Sequence, residues 1–163
     1  ETNRLNSNSR VSPRALRDLY LRAFEICVRQ ARPAAVMTSY NLINGVHTSE
    51  SAQLLEVILR REWGFDGLVM TDWVVDGMTR SDMKHPRATA AATIKAGNEL
   101  FMPGGETDRE DLLAALERGS AVRGPGDRSA AEDGGVSLTR DELEKQAARV
   151  IRAAWRIATI STS

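Results

Sequence analysis

Three short apolar runs in this 163-residue chain end in side chains able to do chemistry. Ala34-Ala35-Val36-Met37 leads into Thr38-Ser39-Tyr40-Asn41, Leu68-Val69-Met70 into Thr71-Asp72-Trp73, and Glu99-Leu100-Phe101-Met102 into Pro103-Gly104-Gly105. Runs this short, bounded by proline, glycine and turn residues, read as buried strands. Where parallel strands alternate with helices, side chains at the strands' carboxyl ends converge on one face, and sites form there. Asp72 is a carboxylate at such a tip. Held by the sheet, it can serve as a nucleophile or metal ligand; it can equally cap the next turn. Tyr40 and Trp73 read as aromatic cover for the rim of the sheet. Met37, inside its apolar run, reads as core.

Other chemistries lack their residues. His47 and His85 stand apart, with no second His or Cys at ligand spacing, so a zinc or iron site is not expected. Gly104-Gly105 lacks the pattern of a phosphate loop, and no Gly-x-Ser-x-Gly elbow occurs. Cys27 falls on what reads as the buried stripe of a helix. Arg60-Arg61-Glu62 and Arg109-Glu110-Asp111 read as solvated helix faces.

The elements that must position these tips are set by spacing. Ser12-Pro13 is a helix start, with proline where its missing N–H costs nothing. Leu16, Leu19/Tyr20, Ala23/Phe24, Cys27 and Ala31 then recur at helical spacing until Pro33. Asn44-Gly45 signals a turn, and Thr48 or Ser49 can cap a helix carrying Leu54/Leu55, Ile58/Leu59 and Trp63, closed by Gly64. An alanine-rich helix ends at Gly97. Thr107…Glu110 and Thr139…Glu142 are capping boxes, the first opening a helix ended by Gly119, the second a terminal helix over 139–159. Between them, 119–135 reads as an exposed loop. Strands recur about every thirty residues, the size of a βαβ unit. The fold class is therefore α/β with parallel strands, and 1–163 reads as a single α/β region. A complete (β/α)8 barrel needs roughly 250 residues. The pattern thus fits either a small open sheet or the last part of a TIM-type barrel, and a chain that starts in a loop feeding a helix favours the barrel.

Composition narrows the partners. Twenty-two basic residues balance 22 acidic ones, without a basic block, which argues against nucleic acid. Apolar runs of a few residues cannot span a membrane. The first residue is Glu1, so the N-terminus reads as cut, and the compartment stays open.

The same residues carry a family resemblance. Val36-Met37-Thr38-Ser39-Tyr40-Asn41, Asn44-Gly45, Ser49-Glu50, Glu62-Trp63-Gly64-Phe65-Asp66-Gly67 and Met70-Thr71-Asp72-Trp73 resemble the barrel domain of glycoside hydrolase family 3. Ala96-Gly97-Asn98-Glu99-Leu100-Phe101-Met102-Pro103-Gly104 is similar to the segment ending that barrel, and Glu1-Thr2-Asn3-Arg4 to the stretch just after the family's Lys-His motif.

The resemblance implies a retaining glycoside hydrolase of β-glucosidase or β-xylosidase type, acting on a β-linked oligosaccharide or glycoside without a cofactor. Asp72 would be its nucleophile. Tyr40 would orient that carboxylate or the sugar, Met37 would line the same subsite, and Trp73 would stack on the leaving-group side. Thr71 stands where Ser is commoner, and Val74 where Gly is frequent. The acid/base would come from a downstream domain and further sugar contacts from missing barrel strands, leaving this chain alone inactive. Asp76, Asp82 and Glu50 are nearby carboxylates without the marks of that acid. A sugar-binding or structural barrel without turnover is the alternative reading. An aldolase-like barrel would need a lysine at a strand tip, and none of the three has one.

Overall fold

The computed structural model describes residues 4–74, 84–121 and 135–160. A two-residue strand β1 (Asn8–Ser9) precedes α1 (Pro13–Ala15), which passes through a π-wound turn (Leu16–Tyr20) into α2 (Arg22–Ala31). Ser12 caps this start through its Oγ, which accepts the Ala15 N–H at 3.2 Å. Then come β2 (Ala35–Met37), β3 (Leu42–Ile43), β4 (Val46–His47), a π-wound helix (Gln53–Glu62) and β5 (Leu68–Trp73). The chain continues through α3 (Ala90–Ala96), β6 (Leu100–Met102), α4 (Glu106–Ala121) and α5 (Arg140–Ile160). None of the described helices is long and apolar enough to cross a membrane.

The three predicted strands form one parallel sheet in the order β2-β5-β6. Val36 pairs with Val69 and Met37 with Met70, so paired side chains share a face. The Val36/Val69 face packs on the helices, where Val28, Leu55, Leu59, Phe65, Val69 and Ala96 form the core. Removing each of the larger of these side chains from water stabilises the fold by about 1.5–3 kcal/mol. The opposite face carries Met37, which is 56% exposed rather than core. Its apolar run alternates faces, and only one of them meets helices.

Several features of the N-terminal half depart from expectation. Asn44 and Gly45 do turn the chain, both at positive φ (52° and 87°), but they close a hairpin between β3 and β4. That hairpin extends into a second sheet through β1, which pairs parallel with β3. The capping signal at 48–49 belongs to a short 3-10 turn (Thr48–Glu50), and Ser51 instead caps the next helix, its Oγ accepting the Leu54 N–H. Cys27 is exposed, not part of a buried stripe; Val28 is the α2 residue that reaches the core. The Leu21 N–H bonds back to the Leu16 carbonyl, five residues away, and this wide turn shifts the phase of the apolar stripe. Leu19, Tyr20 and Phe24 consequently lie 58–71% exposed.

Arg60 is not on a solvated face. Its side chain is 8% exposed and bonds Glu99 Oε1 at 2.5 Å and the Gly67 carbonyl at 3.1 Å. Glu99 Oε2 accepts the Val69 N–H at 2.6 Å, and Arg149 of α5 bridges Glu99 to Glu56. Burial pushes the Glu99 carboxyl up, against the pull of that amide and the two guanidiniums, and pushes Arg60 down. For Glu56 burial also acts upward, but the hydrogen bonds and charge of Arg149, with Lys145, outweigh it and hold the carboxyl low. A carboxyl depressed in the folded state adds stability that is complete above the ordinary value of 4.5 and lost as pH falls through the folded value. Melting temperature should therefore drop on acidification below that value, and a pH series on Glu56→Gln should show a shallower drop.

The C-terminal capping box is present. Thr139 N–H donates to Glu142 Oε2 at 2.8 Å, and Glu142 N–H to Thr139 Oγ1 at 3.2 Å. The earlier one is not. Helix α4 starts at Glu106, so Thr107 lies within its first turn, and the helix runs past Gly119 to Ala121. Gly119 is required for another reason: a Cβ there would stand 2.2 Å from the Leu138 carbonyl oxygen. Leu138 packs with Ala91, Ile94 and Ala115, and its N–H donates to the Ala115 carbonyl. Nor is Asp111 merely solvated, since its Oδ2 accepts the Ala91 N–H at the start of α3.

Candidate active site

The tip of β5 is built around a bulge. Met70 pairs with Leu100 and Trp73 with Met102, so Thr71 and Asp72 oppose Phe101 alone. An extra residue of this kind bends the strand and re-aims its side chains. Thr71 is fully buried, and its Oγ1 accepts the Met102 N–H at 2.9 Å. The Met102 carbonyl in turn accepts the Val74 N–H at 2.7 Å. Asp72 is half-buried between these two anchored neighbours. Its Oδ1 accepts the Trp73 N–H at 2.7 Å, while Oδ2 has no hydrogen-bond partner among the described residues. One oxygen thus does the local capping, and the other makes no hydrogen bond to the described residues.

Val74 turns the chain out of the strand with φ of 57°. Left-handed backbone costs a β-branched residue about 1–3 kcal/mol, against about 0.5–1 kcal/mol for the added chain entropy of glycine. Val74→Gly should therefore raise stability by about 1 kcal/mol in denaturant titration.

Tyr40 reaches across from the end of β2, its hydroxyl donating to the Trp73 carbonyl at 2.7 Å. The Arg4 guanidinium lies 4.9 Å from the centre of the Tyr40 ring. Below it, buried His47 places Nδ1 3.1 Å from the Tyr40 carbonyl and Nε2 2.8 Å from that of Pro86, bracing the β2 tip rather than ligating a metal. Trp73 is 56% exposed. Met37 lies in register with Met70, two residues before Asp72. The structure thus brings Asp72, Tyr40 and Trp73 together at adjacent strand ends, with Met37 one strand over on the open face. An apolar hollow of about 250 Å³ between Tyr20, Phe24, Met37 and Trp63 is a separate feature, because neither Asp72 nor Trp73 lines it.

Among the remaining carboxylates, Glu50 is occupied, its Oε1 accepting the Thr89 N–H at 2.7 Å. Asp76 and Asp82 lie outside the described residues. No group of three or more His, Cys, Asp or Glu side chains capable of holding a metal occurs among the described residues. Arg4 and Met102 were not legible as site residues. Arg4 belongs to no local motif of its own, and Met102 meets Thr71 and Val74 through its backbone.

Residues 4–152 match the family model described as "Glycosyl hydrolase family 3 N terminal domain". The chain is 45% identical over 117 residues to an exo-alpha-(1->6)-L-arabinopyranosidase of Bifidobacterium longum, covering 72% of this chain and 14% of that protein. It is 46% identical over 120 residues to a beta-glucosidase of Rhizobium radiobacter, covering 73% of this chain and 13% of that one. Among solved structures, the family 3 beta-glucosidase of Bifidobacterium adolescentis superposes with a TM-score of 0.68 at 32% identity, over 97% of this chain and 19% of that one. Beta-glucosidase 3B of Thermotoga neapolitana, solved with glucose, gives 0.67 at 33% identity, over 88% and 17%. The parallel sheet and its helices are accordingly part of a TIM-type barrel. A match over nearly its whole length, with these relatives beside it, places this chain in glycosyl hydrolase family 3.

Proposed function

We propose that Asp72 is the nucleophile of a retaining glycoside hydrolase of β-glucosidase or β-xylosidase type. The observation that carries this reading is the carboxylate at the bulged tip of β5, with Oδ1 tied to the backbone and Oδ2 unbonded among the described residues. Oδ2 attacks the anomeric carbon as the bond from C1 to the leaving oxygen breaks. A carboxylic acid gives its proton to that oxygen, and a glycosyl ester of Asp72 forms. The same acid, now a carboxylate, then takes a proton from water, whose oxygen displaces Asp72 from C1. The two carboxyls must stand about 5–5.5 Å apart, and the acid needs a raised pKa. No cofactor takes part.

Met37 lines the subsite of the cleaved sugar, Trp73 offers its exposed ring to the leaving group, and Tyr40 holds the Trp73 backbone between them. The chain spans 11–14% of the length of the curated relatives it matches. The acid/base and the remaining sugar contacts come from a downstream domain and further barrel strands, so these 163 residues alone hydrolyse nothing. Substrates are terminal pyranosides with an equatorial C1–O bond, a geometry that β-D-glucosides and α-L-arabinopyranosides share.

The test is trapping. A 2-deoxy-2-fluoro glycoside with a good leaving group should label the enzyme that carries this chain with its complete barrel, and peptide mapping should place the label on Asp72. A label on another residue overturns the assignment. Glucose binding with neither label nor turnover would favour the binding-barrel alternative.

A further inference from the structure

We infer that Thr71 is a positioning residue whose hydroxyl sets the aim of the Asp72 carboxylate; this rests on the reading of Asp72 as nucleophile. Thr71 and Asp72 are the two residues that the bulge sets against Phe101, so this stretch of β5 lacks one-to-one registration with β6. Something other than the ladder must fix how far the strand rotates there. The Thr71 Oγ1, fully buried and 2.9 Å from the Met102 nitrogen, is placed to do so. Its β-branch restricts the side chain to few rotamers, so the bond fixes the Thr71 backbone as well as its hydroxyl.

Beyond Asp72 the chain is pinned again, by the Val74 N–H on the Met102 carbonyl and the Tyr40 hydroxyl on the Trp73 carbonyl. Met102 therefore holds both ends of the Thr71–Val74 turn, with its N–H on one side of Asp72 and its carbonyl on the other. Releasing the Thr71 end lets Asp72 pivot about the anchored Trp73–Val74 end. A pivot at the base of a carboxylate moves its oxygens, while the sugar contacts of Met37 and Trp73 stay in place.

The experiment uses the enzyme with its complete barrel and reads inactivation by the 2-fluoro glycoside, with melting temperature measured in parallel. Thr71→Val keeps the shape and removes the acceptor. It should lower the limiting inactivation rate about 10- to 100-fold, with the reagent's dissociation constant within about twofold. Thr71→Ser restores the acceptor and should recover the rate to within about threefold. Thr71→Cys supplies a weak acceptor of similar size, and stands in for the valine variant should that one fail to fold. Inactivation at the wild-type rate in folded Thr71→Val or Thr71→Cys overturns the inference. So does a serine variant as slow as valine, which would assign the effect to methyl packing. Mapping the label keeps the two claims apart, since its position tests Asp72 and its rate tests Thr71.

Discussion

Replacing Asp72 with Asn is expected to lower turnover of an aryl β-glucoside by about 10⁴-fold or more, the scale of losing a covalent nucleophile. The substitution is nearly isosteric, and an amide oxygen can still accept the Trp73 N–H, so the bulge and its anchors should survive. What is lost is a negatively charged oxygen able to form an ester with C1. Melting temperature should hold while turnover collapses, and that divergence is the informative result. A parallel loss of both would mean that Asp72 serves the fold. Full activity would remove it from the chemistry altogether. A smaller variant, Asp72→Ala, adds a positive control: azide entering the vacated space should restore turnover and leave a glycosyl azide of inverted configuration.

The largest effect on stability should come from the opposite end of the same strands. Glu99 is fully buried at the start of β6, where it meets Arg60, Arg149 and the Val69 N–H. Glu99→Gln leaves the Arg60 guanidinium without its carboxylate in a site with little water, while Arg149 keeps Glu56. Removing one partner of a buried ion pair costs about 3–5 kcal/mol, because the surviving charge stays desolvated and uncompensated. Against a total stability of about 5–15 kcal/mol, that is enough to threaten folding. Chemical denaturation of Glu99→Gln beside wild type checks it. A loss below about 1 kcal/mol would show that water already reaches the cluster. The cluster is not fully satisfied as it stands, since Arg60 Nε has no partner among the described residues. Ion pairing here ties α5 and the π-wound helix to the foot of the sheet, while the proposed nucleophile stands at its other end.

Several local signals were legible where one residue type solves one backbone problem, although the capping box at Thr107…Glu110 and the helix end at Gly119 were not realised. Ser12-Pro13, Asn44-Gly45 and Thr139…Glu142 each do the work their chemistry suggests, and the three apolar runs are parallel strands. Nonlocal pairing was less visible. Two-residue strands such as β1 carry too few side chains for an alternation to show, and their pairing depends on residues more than thirty positions away. Arg60 looked solvated because a helical face of charged residues normally is, and its partner Glu99 lies 39 residues on. Cys27 and Phe24 were misplaced by counting at 3.6 residues per turn through a π-wound segment. At the strand tips the types of Asp72, Tyr40 and Trp73 were readable, whereas the bulge that re-aims β5 at Asp72 is a backbone event.

The contact between Gly119 and Leu138 bears on how such a chain can vary. Both ends of the connection are fastened, by the Leu138 N–H on the Ala115 carbonyl and by Arg118 Nε on the Val136 carbonyl. With its mouth clamped, the connection can be lengthened at small entropic expense, because closure grows only with the logarithm of length. Changes in length between these two anchors should therefore leave the tip of β5 unmoved.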